Sequence, residues 1–66
     1  MNKFIEIIGN EGKRKCINVR HIESIEEVSE NQCVIYMLPN WFDNAVRAYY
    51  IVDKSYDEVI AMVNGR

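Results

Sequence analysis

A strong excess of either charge is missing from this sequence: eight Lys and Arg stand against ten Asp and Glu, for a net charge of -2. Chains that grip nucleic-acid phosphates carry a basic excess, so nucleic acid is not an expected partner. Long hydrophobic runs are missing too. The longest is CVIYML at 33–38, far short of the roughly 20 apolar residues that span a bilayer. The apolar stretch near the start is broken by Glu6 and is too short for the core of a secretory leader. No membrane association is expected, and the expected location is the cytoplasm.

Cysteine, histidine, glycine and proline are scarce. Cys16, Cys33 and His21 supply three candidate ligands, whereas a structural zinc site uses four in close-spaced pairs. Neither a metal nor another cofactor is expected. With no secretion signal, the two thiols read as reduced, small apolar residues rather than a disulfide. His21 is the one imidazole and has no local nucleophile signature around it, so the chain reads as a binding protein and not an enzyme. Three Gly and one Pro in a chain that is 48% hydrophobic argue against disorder.

What is present is a series of short β-forming runs. Residues 3–8 (KFIEII) end at Gly9-Asn10-Glu11-Gly12, a turn composition because Gly and Asn tolerate positive φ. Residues 13–17 then return as the second strand of a hairpin. In 18–28 (NVRHIESIEEV), Ile22, Ile25 and Val28 recur every third residue, which suits a helix capped by Asn18. The alternative is a tight turn at 19–21 and a strand at 22–28. The strand is preferred, because Ser29-Glu30-Asn31-Gln32 makes a good turn into the strand-like 33–38. Pro39 opens a loop at 39–44 (PNWFDN), and 47–52 resumes as a strand with Ala48, Tyr50 and Val52 on one face and Tyr49 and Ile51 on the other.

The C-terminal segment carries the sharpest local signal. Ser55-Tyr56-Asp57-Glu58 is a capping box, Tyr56, Val59, Ile60 and Val63 form an apolar stripe, and Asn64-Gly65 is a natural stop. A helix this short is unstable alone and must dock on the sheet. The expected architecture is a single α+β domain over 1–66: an antiparallel β-meander of about five strands packed with one C-terminal helix.

Two clusters could carry function. Lys13, Arg14, Lys15, Arg20 and His21 gather basic charge near the first turn, while Glu23, Glu26, Glu27 and Glu30 read as a solvated acidic face. The segment around Trp41, Phe42, Arg47 and Tyr49 is rich in the residue types that dominate interfaces. Trp41 and Phe42 either form a partner-binding surface or fold back to close a small core. A 66-residue core is marginal by itself, which favours self-association or docking on a larger protein.

The order of features resembles the FlbD-like family of small flagellar and swarming-motility proteins. The resemblance rests on Asn18, Ile22, Ile25 and Glu26 in the first motif and on Ser55, Glu58, Val59 and Ile60 in the second. It spans most of the chain and implies a small cytosolic β-meander with a helix and no known catalytic residues. The family joins its last two strands by a short Asn-Gly type turn, where this chain has LPNWFDNAVRA at 38–48.

The expected function is a non-enzymatic protein-interaction or self-assembly module acting on a larger partner or on itself as a homo-oligomer, through Trp41, Phe42, Arg47 and Tyr49. The alternatives are a small phage or mobile-element inhibitor of a host protein, or a small-ligand or nucleotide binder at an oligomer interface.

Overall fold

The computed structural model describes residues 3–9, 11–39 and 48–65. Five strands precede one helix: β1 (Phe4–Ile8), β2 (Arg14–Asn18), β3 (Ile22–Ser29), β4 (Gln32–Met37), β5 (Tyr49–Val52) and α1 (Tyr56–Val63). All pairings are antiparallel. This is the expected α+β architecture, with one refinement. The ladder is divided into a two-stranded sheet, β1-β2, and a three-stranded sheet, β3-β4-β5.

The division falls at a 3-10 turn over Val19–His21. Asn18 caps that turn, its side-chain oxygen accepting from the Arg20 backbone amide at 3.0 Å. The side chain of Asn therefore does what an N-cap does, satisfying an otherwise orphaned amide, but for a single turn and not for a long helix. Two backbone bonds hold the corner in place. The Val19 amide donates to the Lys3 carbonyl at 2.9 Å, and the Leu38 amide donates to the His21 carbonyl at 2.7 Å.

β3 shows how a three-residue apolar spacing fits a strand. Ile22 pairs with Met37 but Ser24 pairs with Tyr36, so Glu23 is an extra residue opposite β4. This bulge resets the alternation, and Ile22 and Ile25 both become half-buried against the core. A second shift, between Glu27 and Ser29, inserts Val28 in the same way. Val28 remains outside, 55% exposed.

The core lies between the two sheets and the helix. Ile5, Ile7 and Ile17 come from the first sheet, Cys33, Ile35 and Val52 from the second, and Val59 from α1. The strand positions alternate as a half-buried sheet requires: Cys33, Ile35 and Val52 are 0–1% exposed, while Tyr49 and Ile51 face outward.

Helix α1 begins with the complete capping box. The Ser55 hydroxyl accepts from the Glu58 amide at 3.1 Å, and the Ser55 amide donates to the Glu58 carboxylate at 3.2 Å. At the other end Gly65 takes φ 77°, the left-handed conformation that glycine adopts without a steric penalty. The Lys3 ammonium donates to the Val63 carbonyl at 2.8 Å. A cation at a helix C-terminus complements the macrodipole there, and this one also ties the start of the chain to its last element.

Candidate functional site: the outer sheet face and the basic crevice

Strand register places two kinds of surface beside each other. On the outer face of β3-β4-β5, Val34 pairs with Ile51 and Tyr36 with Tyr49, and Glu26 flanks Val34 from β3. Tyr49 is 51% exposed and Ile51 is 42% exposed, whereas Val34 between its neighbours is buried. The Tyr36 and Tyr49 rings are tilted at 47° with centroids 6.3 Å apart. That spacing is within the range of favourable aromatic pairs. The cross-strand pairing holds the two rings together on a rigid element, where alternation aims them away from the core.

Of the four residues expected to bind a partner, Tyr49 lies on this face. Trp41, Phe42 and Arg47 lie outside the described residues, and the strand expected at 47–52 is observed from Tyr49, with Ala48 ahead of it. Ile51 and Tyr36 join Tyr49 in the site. Their signal in the sequence was the alternation of YYIV and CVIYML, which sets these side chains opposite to Val52, Cys33 and Ile35.

The second surface is a crevice of about 300 Å³ lined by Gly9, Glu11, Lys13, Arg14, Lys15 and Tyr50. The β1-β2 turn builds one wall: the Gly9 amide donates to the Lys13 carbonyl at 2.9 Å, the Gly12 amide donates to the Gly9 carbonyl at 3.0 Å, and Gly12 sits at φ 75°. Tyr50 of β5 builds the other. The Lys15 ammonium stands 5.0 Å from the Tyr50 ring centroid, a cation–π distance. Lys15 pairs with Ile7, so it occupies a core-side position at the end of β2 and sends its charge out to water along its aliphatic stem.

The two cysteines differ. Both are free, Cys33 buried and Cys16 exposed. The reading of both as small apolar residues holds for Cys33 and is corrected for Cys16. Cys16 pairs with the exposed Glu6 and alternates with buried Ile17, so its side chain lies on the outer face of the hairpin. Burial pushes the Cys33 thiol above its ordinary pKa, which keeps it protonated and unreactive at neutral pH.

His21 is exposed at the corner. Among the described residues no group of three or more His, Cys, Asp or Glu could hold a metal ion. No described helix is long and apolar enough to cross a membrane. No family model, curated protein or solved structure matches this chain.

Proposed function

We propose that this chain is a non-enzymatic protein-interaction or self-assembly module of the cytoplasm, which engages a larger partner through the outer face of β3-β4-β5. The observation that carries this reading is the exposure of Tyr49 and Ile51 beside Tyr36 on adjacent strands. Neighbouring large apolar side chains on a small domain cost solubility unless a partner covers them, and aromatic residues contribute strongly when covered. Trp41, Phe42 and Arg47, the other residues of interface type, precede β5 in the sequence. The FlbD-like resemblance supports the same reading, since that family is small, cytosolic and without known catalytic residues.

The test is capture of host proteins on immobilised wild type and on Tyr49→Ser/Ile51→Ser, with circular dichroism of both. A partner held by the wild type and lost by a folded double variant supports the module. An identical set of captured proteins on both would sink it.

A further inference from the structure

Charge on this domain is divided between opposite edges of the three-stranded sheet. The basic hairpin lies at the β5 edge: Lys15 stands over Tyr50, and Gly9 lies so close that a Cβ there would meet the Tyr50 ring at 3.9 Å. Lys13, Arg14 and Lys15 line the crevice at that edge, with Glu11 as its one acidic neighbour. The acidic run lies on β3 and its turn, with Glu26, Glu27 and Glu30 all exposed. Sheet order β3-β4-β5 separates the two edges by two strand spacings of about 4.8 Å each.

We propose that the basic crevice receives the acidic β3 strand of a second copy of this chain, giving a head-to-tail assembly. This deepens the interaction reading above and rests on it, by naming a second copy as one partner. Three observations select that occupant. The crevice is cationic and large enough for carboxylate side chains. β3 is an edge strand of the three-stranded sheet whose carboxylates Glu26 and Glu27 are exposed to solvent. The charges also choose the mode: β3 against β3 sets carboxylates against carboxylates, whereas β3 against the basic hairpin sets opposite charges together. Such a contact uses different patches on the two copies, so it propagates as a ring or a filament and does not stop at a symmetric dimer.

The test is sedimentation velocity on the full chain, with circular dichroism to verify folding. Wild type should gain mass with concentration at low salt and return to monomer near 1 M salt, where the Debye length falls to about 3 Å. Lys13→Glu/Arg14→Glu and Glu26→Lys/Glu27→Lys should each lose association by at least about tenfold, because each sets like charges together. An equal mixture of the two should recover it. Should a reversed variant fail to fold, Lys13→Gln/Arg14→Gln and Glu26→Gln/Glu27→Gln should still weaken association. Wild-type association in the folded variants would overturn the proposal. A wild type that stays monomeric at every concentration overturns it too, and if that monomer still captures a host protein the interaction reading survives alone. Stabilisation of a monomer by inorganic pyrophosphate in a thermal melt, without association, would assign the crevice to a small anion and overturn the second copy as its occupant.

Discussion

The two faces of the β3-β4-β5 sheet are made from the same strands and have opposite fates. Cys33, Ile35 and Val52 are 0–1% exposed on one side, while on the other Tyr49 and Ile51 are 51% and 42% exposed around the buried Val34. Residue type does not explain the difference, because isoleucine occurs on both sides. What differs is what packs against each face: the first sheet and α1 cover the inner side through Ile5, Ile7, Ile17 and Val59. The comparison teaches that hydrophobicity in this chain has two uses. The inner face holds the fold together, and the outer face carries the proposed partner surface.

The sharpest way to break that contrast is to truncate equivalent residues on either side. Ile35→Ala removes a fully buried side chain, at an expected cost of about 2–5 kcal/mol. A single core of this size supplies only a few kcal/mol, so urea titration should find the variant largely unfolded without denaturant. Tyr49→Ser/Ile51→Ser should cost much less, about 1 kcal/mol in total, since surface substitutions usually stay within about 0.5 kcal/mol each. Its effect should appear in partner capture and not in the melt.

The cysteines sharpen the same comparison without altering the fold. Alkylation of the native chain, followed by mass spectrometry, should modify Cys16 first. Cys33 should react only as fast as the domain opens, and denaturant should make the two rates similar. Equal labelling in the native state would contradict the buried position of Cys33.

Changes at the exposed N-terminal cap of α1 should be smaller, because they leave its core residue Val59 in place. Ser55→Ala deletes one half of the capping box and should cost about 1 kcal/mol in a chemical melt. The smallest effect concerns pH. Hydrogen bonds from the Ser55 backbone and hydroxyl side, helped by nearby Lys54, hold the Glu58 carboxyl below its ordinary pKa of 4.5. A carboxyl lowered by folding stabilises the native state above its unfolded pKa and loses that contribution as pH falls through the folded value. Acid titration should therefore loosen the wild-type helix below about pH 4.5, and Glu58→Gln should flatten that part of the curve. A Glu58→Gln profile that parallels the wild type would remove Glu58 from the account.

Much of this fold is legible in the sequence because its signals are local. Gly9 and Gly12 mark the first hairpin turn, Ser55 and Glu58 mark the start of α1, and YYIV shows its alternation within four residues. The bulges in β3 are less legible. Ile22, Ile25 and Val28 carry a helical spacing, and only pairing with β4 shows that inserting Glu23 turns Ile22 and Ile25 to one side. The exposure of Cys16 is likewise decided by its neighbours on β1, beyond the reach of composition. In the candidate site, Tyr49 was readable as an interface residue type, whereas the approach of Lys15 to Tyr50 depends on how the two sheets meet. Sequence places those residues 35 positions apart and offers no local cue that they touch.

The most direct test of the two-faced sheet is an NMR titration of the isotope-labelled chain with a captured partner. The amide signals of Val34, Tyr36, Tyr49 and Ile51 should shift or broaden first. Those of Ile5, Ile7, Ile17 and Val59 should stay where they are. Shifts concentrated on α1, with residues 34–36 and 49–51 unmoved, would contradict it.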